Sequence, residues 1–274
     1  MLSTYTAVSG DSFRRWRPAP AIRLSILLHV AGVILLAADP PAWPWVAGLL
    51  IGNHFALSVA VLFPRGRVLG PNLVRLPAPA ARRREVCLTF DDGPTPDATP
   101  RVLDLLDRFH AKATFFCIGE NAAAHPELVK EIVRRGHSVE NHSYRHRHTF
   151  AFHGLPRLRR EVDSAQAAIT AIAGRSPQFF RAPAGFRSPL LDPVLATRGL
   201  RYVSWTRRGF DTIRGNPTRV LRRLTRGLAA GDVLLLHDTG PVVLEVLPKL
   251  LEEITARGLK PVSLAAACGD GPEK

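Results

Sequence analysis

Short strand-like runs alternate with helical patterns from Val86 to Arg257, and no other feature constrains the fold as tightly. The runs are Val86–Phe90, Ala113–Ile118, Ser138–Asn141, Phe179–Ala182, Tyr202–Trp205 and Val233–His237. Helical patterns fall near Pro100–Phe109, Pro126–Arg135, Leu155–Ala173, Leu190–Thr197, Pro217–Leu228 and Val242–Arg257. Parallel strands need a crossover of helix length, so this order predicts an α/β fold with a parallel sheet closed or nearly closed into a barrel. Ligands of such folds bind at the C-terminal ends of the strands. Residues able to do chemistry sit at those ends: Asp91 and Asp92, His142, and His237.

Asp91 and Asp92 follow an apolar run and precede Gly93-Pro94, which stops it. Two adjacent carboxylates in a ligand site repel each other unless a cation lies near, and a metal ion is the simplest cation. Asp is also common in turns, so a loop cap is the competing reading. His142 and His146 are four apart. That spacing predicts a helical turn whose one face carries both imidazoles to one metal. His137, His148 and His153 crowd the same region and read as structural or solvated histidines.

Five ordered segments resemble the polysaccharide deacetylase (NodB-homology, carbohydrate esterase) family. They are Thr89–Pro94, His142-Ser143-x-x-His146, Arg181-Ala182-Pro183-Ala184-Gly185, Trp205–Asp211 and Leu234–Asp238. The resemblance covers roughly Arg84 to Ala267. It implies an irregular (β/α) barrel of about seven strands, and a hydrolase that removes an N-acetyl or other short acyl group from an amino sugar. It also implies a divalent metal held by Asp92, His142 and His146. Zinc is first, with cobalt, nickel and iron compatible with the same ligands. By the same resemblance Asp91 is the general base, held by Arg181. His237 is the general acid, oriented by Asp211. A backbone N–H near Ser143 would stabilise the oxyanion, and Trp205, Leu235, Pro183, Gly185 and Phe186 would line the acyl pocket.

Two departures stand out. Ala184 occupies a position where many relatives carry an aromatic, with Phe186 close by to compensate. Arg208-Gly209-Phe210-Asp211-Thr212 stands where many relatives read Asp-x-x-Asp-Trp.

The N-terminal region is of another kind. Residues 22–38 and 43–63 are nearly uninterrupted apolar stretches, the second broken by Asn53 and His54, with Asp39-Pro40-Pro41 between them. They predict a membrane hairpin within an anchoring region of residues 1–80, ahead of a catalytic domain of residues 81–274. Arg14, Arg15, Arg17 and Arg23 precede the hairpin; Arg65, Arg67, Arg75 and Arg82–Arg84 follow it; the connection has no Lys or Arg. The positive-inside rule then puts both ends and the catalytic domain on the cytoplasmic face of the membrane. A lipid-linked amino sugar is the substrate expected there, beside the N-acylated glycan that the resemblance implies.

The net charge of +14 is mostly arginine, much of it beside the apolar stretches. Anionic membrane lipids are the expected partners of such clusters, and nucleic acid is not, since no nucleic-acid fold motif is present. Three cysteines make no disulfide framework. Cys87 and Cys117 read as small core residues. Other functional classes stay open at this stage: a non-catalytic, membrane-anchored carbohydrate- or lipid-binding protein, and deformylase or O-acetyl esterase variants of the same chemistry.

Overall fold

The computed structural model describes residues 16–212 and 215–269; Arg14 and Arg15 lie outside them. Eight parallel strands form the centre: β1 (Glu85–Asp91), β2 (Ala113–Cys117), β3 (Ser138–Asn141), β4 (Phe179–Phe180), β5 (Arg201–Tyr202), β6 (Arg207–Arg208), β7 (Val233–His237) and β8 (Lys260–Pro261). Their spatial order is β5-β4-β3-β2-β1-β7-β6, with β8 paired to the start of β1. This is a curled parallel half-barrel whose centre is β1, flanked by β2 and β7.

Helices α1 (Pro20–Ala38) and α2 (Trp43–Val61) precede the barrel. The short α3 (Ala78–Arg82) leads into β1. Then come α4 (Thr99–Arg108), α5 (Gly119–Ala124), α6 (Pro126–Arg134), α7 (Leu155–Ala173), α8 (Leu191–Ala196), α9 (Pro217–Thr225), α10 (Pro241–Ala256) and α11 (Leu264–Cys268). The expected helices are all present within a few residues. The short elements α3, α5, α11, β6 and β8 were not anticipated, because two to six residues carry too little periodicity to read.

Strand alternation sorts the side chains. Val86, Leu88 and Phe90 of β1 face outward with Ala113, Phe115 and Cys117 of β2 and Leu234 and Leu236 of β7. They meet Leu103 and Leu106 of α4, Ile132 of α6 and Leu247 and Leu250 of α10 in the main core. Each fully buried Leu or Phe contributes about 2 kcal/mol there. The alternate residues Cys87, Phe116, Phe179 and Val233 point into the barrel, where Leu76, Val203 and Leu264 close the bottom. Thr89, Asp91, Leu235 and His237 belong to the same inward set, higher up. Burial pushes the Cys87 thiol up to about 12 and that of Cys117 well above its ordinary value, so both are inert core groups.

The segment before β1 also takes part in the barrel. Leu73 donates its N–H to Tyr202 O at 3.0 Å and accepts from Ser204 N at 3.1 Å. Leu76 donates to Gly231 O at 2.9 Å. Residues 73–76 therefore form a strap across the seam between the β5 end and the β7 start, where Leu73 bridges Val203 and Arg75 bridges Asp232.

Helices α1 and α2 pack as a hairpin through the turn Pro40–Ala42. They are the two described helices long and apolar enough to cross a membrane. Gly32 allows the close approach, since a Cβ there would lie 2.9 Å from Val46 Cγ1. Between them Asn53 donates to Ser25 Oγ at 2.9 Å, and His29 meets His54 edge to face at 5.2 Å.

Candidate active site

The C-terminal ends of β1, β3, β4 and β7 converge on one point. Asp91 ends β1 and Asp92 follows it in a left-handed conformation, φ 74°, which turns its carboxylate back over the barrel mouth. Behind it a Cβ on Gly93 would come within 2.3 Å of the Asp238 carboxylate, so only glycine fits. Asp238 is fully buried, receives Thr99 Oγ1 at 2.5 Å and is pushed by burial up to about 7. It braces the loop that carries Asp92.

His142 and His146 do not sit on a helical turn, contrary to the expectation from their spacing. They lie on an irregular loop after β3, in which Ser143 (φ 65°) and His146 (φ 48°) both adopt left-handed backbone. Side chains hold this shape. Asn141 Oδ1 accepts Ser143 N–H at 2.9 Å, and Glu161 Oε2 accepts the N–H groups of Tyr144 and Arg145 at 3.1 and 2.9 Å. Ser143 Oγ accepts His146 N–H at 3.1 Å. These bonds also correct the expected oxyanion donor, because every N–H from Ser143 to His146 is already engaged.

Asp92, His142 and His146 come together as the sequence suggested. Asp92 Oδ1 lies 3.3 Å from His142 Nε2 and 3.2 Å from His146 Nε2. The three ligand atoms fall within 4.8 Å of one another. Asp92 Oδ1 is buried and has no hydrogen-bond partner among the described residues. A buried, unsatisfied carboxylate oxygen facing two imidazole nitrogens fits a divalent cation. His142 Nδ1 donates to Arg181 O at 2.8 Å, which fixes the tautomer and leaves Nε2 free to ligate. Burial, with His142 beside it, holds His146 down to about 4, in the neutral ligating form. Burial pushes the Asp92 carboxyl up, but the close approach of His142 and the neighbouring His146 and His237 more than offset this, leaving its pKa below the ordinary value.

Arg181 is the largest fully buried side chain among the described residues. Its Nη1 donates to Asp91 Oδ1 at 2.6 Å and Thr89 Oγ1 at 2.8 Å, and its Nη2 to Ser204 O at 2.9 Å. The guanidinium stacks 4.1 Å over Phe116. The other Asp91 oxygen is turned toward the histidines, 3.8 Å from His142 Nε2.

His237 ends β7. Its Nδ1 donates to Asp211 Oδ1 at 2.9 Å, and its backbone N–H donates to Asp211 Oδ2 at 2.8 Å. Nε2 is thereby aimed at the site, 4.0 Å from Asp92 Oδ2. Burial lowers the His237 pKa, but the Asp211 hydrogen bond and charge outweigh it, so the net shift is upward. A cleft of about 240 Å³ opens beside it, lined by Asp211, Thr212, Thr239 and Pro241 among others.

The expected pocket residues divide. Leu235 faces inward, buried beside Thr89. Trp205 is buried against Gly185, where a Cβ would meet its ring at 2.4 Å. Pro183 and Gly185 form a short buried turn. Phe186, expected in the pocket, packs against a small cluster of Val61 of α2, Leu69 and Ala151, which fastens the loop to the hairpin. Thr89, Asn141, Glu161 and Asp238 were missed as site residues. Thr89 and Asp238 lay inside quoted motifs and Asn141 one residue before His142; Glu161 had no positional signal.

Residues 78–203 match the family described as polysaccharide deacetylase. That stretch holds Asp91, Asp92, His142, His146 and Arg181; the fold adds Asp211 and His237. The chain is 29% identical over 185 residues to a peptidoglycan-N-acetylglucosamine deacetylase of Bacillus cereus, covering 66% of this chain and 86% of that protein. It is 36% identical over 167 residues to a chitooligosaccharide deacetylase of Bradyrhizobium sp., covering 58% and 72%. Among solved structures, a family 4 carbohydrate esterase from Streptomyces lividans in complex with acetate superposes with a TM-score of 0.61 at 33% identity, covering 65% and 91%. Sequence, fold and the convergence of the five motifs agree that the chain belongs to the polysaccharide deacetylase family and is a hydrolase of that type.

Proposed function

We propose that this protein is a metal-dependent hydrolase that removes the N-acetyl group from an amino sugar of a glycan. The observation that carries the reading is the buried Asp92 Oδ1, without a hydrogen-bond partner among the described residues and facing the Nε2 atoms of His142 and His146. Asp92, His142 and His146 would hold the cation, with zinc the first candidate and cobalt, nickel or iron accepted by the same ligands. When bound, such a cation polarises the amide and lowers the pKa of the attacking water. Relatives named for deacetylating peptidoglycan and chitooligosaccharides support an N-acetylated glycan as substrate.

The chain's own groups account for the proton transfers. Asp91 takes the proton of the water that attacks the acetyl carbon, and Arg181 holds and aims its carboxylate. His237, with Nδ1 held by Asp211, delivers a proton from Nε2 to the departing amine as the C–N bond breaks. Acetate and a free amino sugar result. The test is acetate release by the full chain in detergent, with Asp91→Asn as control. Chelator-sensitive release lost in the variant supports the reading. Release that survives both treatments overturns it, and formate or ester-derived acetate would point to the deformylase or esterase variant.

We place α1 and α2 in the membrane as a two-span hairpin, with the catalytic domain on the cytoplasmic face. Support comes from the flanking arginines and from apolar helical spans of 19 residues, Pro20–Ala38, and 22 residues, Pro40–Val61 with the turn included. Anionic lipid headgroups would then contact Arg65 and Arg67, and a lipid-linked amino sugar becomes the substrate. The catalytic unit would begin near Leu73 rather than at residue 81, since the strap is paired into the sheet. Protease protection in inverted against right-side-out vesicles tests the orientation; digestion of the domain from the outer face would overturn it.

A further inference from the structure

Two adjacent arginines on β6 have opposite fates. Arg207 points outward, where its Nε donates to Asp232 Oδ2 at 2.5 Å and its other nitrogens bind the carbonyls of Arg226 and Gly227. Arg208 points the other way. It is in register with Leu235, which is in register with Thr89, so its side chain stands on the inward face that also carries Asp91 and His237. There the guanidinium is half-buried and lies 5.1 Å from the Trp205 ring and 4.8 Å from the Phe210 ring. Its Nε is buried and makes no hydrogen bond among the described residues, and no described carboxylate forms an ion pair with it. Burial lowers its pKa, and the charges of Asp91, Asp211 and Asp92 oppose that drop; a guanidinium stays charged in proteins.

The surroundings are arranged around this cation. Phe210 adopts left-handed backbone, φ 59°, a conformation strained for a bulky residue. Its ring also meets a second guanidinium, that of Arg223, 5.2 Å away. One residue further on, Asp211 holds the acid His237. A guanidinium taken part-way out of water with an open Nε is costly to leave unpaired, and its planar fork matches a phosphate or carboxylate.

We infer that Arg208 is a specificity determinant that binds an anionic oxygen group, phosphoryl or carboxylate, carried by the glycan whose amino sugar is deacetylated. The inference rests on the deacetylase reading and narrows its substrate to an acidic glycan. Arg208 takes no part in the proton transfers; it selects and seats the substrate beside them.

Three probes separate the possibilities on the full chain in detergent: neutral tetra-N-acetylchitotetraose, N-acetylglucosamine 1-phosphate and N-acetylmuramic acid, whose lactyl group is a carboxylate. Binding is measured by calorimetry and turnover by acetate release. Arg208→Met keeps the apolar stem against the rings, and Arg208→Lys keeps the charge. The expected result is that Arg208→Met weakens one anionic probe about 10–100-fold and the neutral probe less than about twofold. Arg208→Lys restores part of the loss, and the thermal midpoint stays that of the parent. The probe that responds identifies phosphate or carboxylate. Equal effects on all three probes, or none, overturn the inference. Selective loss of binding with no acetate released from any probe would sink the deacetylase reading and leave the anion site standing.

Discussion

The backbone carbonyl of Arg181 accepts the Nδ1 hydrogen of His142 at 2.8 Å. One residue thus orients a candidate metal ligand through its main chain and the candidate base, Asp91, through its guanidinium. The two roles separate by mutation. Arg181→Met leaves the carbonyl in place and strands a buried carboxylate. Acetate release should fall about 100-fold and stability by about 3 kcal/mol, while metal affinity changes less than about tenfold. Activity assays, melting curves and calorimetric metal titration on one variant check this; affinity falling as far as activity would show that Arg181 works through His142.

Asp211→Asn bears on the acid. The Asp211 hydrogen bond and charge raise the His237 pKa against the effect of burial. A group that must be protonated to act is active below its pKa, so a raised pKa extends activity to higher pH. Removing Asp211 lowers that pKa and moves the alkaline limb of the kcat/KM profile to lower pH. The loss in Asp211→Asn is therefore larger at pH 8 than at pH 6. A uniform loss across the profile would mean that Asp211 only positions the ring.

Metal loading gives a readout that needs no substrate. A cation at about 100 times its Kd stabilises the folded chain by about 2.7 kcal/mol, a rise in Tm of about 5–10 °C for a domain of this size. Asp92→Asn and His146→Gln should abolish the rise. Persistence of the full shift in both variants would locate the cation elsewhere.

The strap predicts a boundary effect. A chain beginning at Arg84 lacks the three backbone hydrogen bonds of Leu73 and Leu76 and uncovers the interior around Val203 and Val233. It should be less stable by about 3 kcal/mol than one beginning at Phe63. Equal denaturant midpoints for the two would show the strap to be ornamental.

Much of this was legible in the sequence, for physical reasons. Buried strands such as Leu234–Leu236 are continuous apolar runs, and β1 and β7 end at Asp91 and His237, the candidate base and acid. The ligand set was legible from residue type and order. The conformation joining the candidate ligands was not, because the spacing of His142 and His146 reads as helix, whereas the loop is dictated by Asn141 beside it and by Glu161, which acts across the fold. Phe186 was misplaced for a similar reason: its surroundings come from α2, far away in the chain. Strands of two residues, such as β6, carry no period at all.

The strap has a consequence for biosynthesis. Its partners at Tyr202, Ser204 and Gly231 are translated long after Leu73 and Leu76. The seam therefore cannot close on the ribosome until β5 and the approach to β7 have emerged. Loop-closure entropy sets a long wait against it, as it does against the pairing of β1 with β7 and β8. A nascent chain interrupted in that interval would hold the first strands with an unsealed edge, the state in which parallel sheets are most exposed to chaperones and to aggregation.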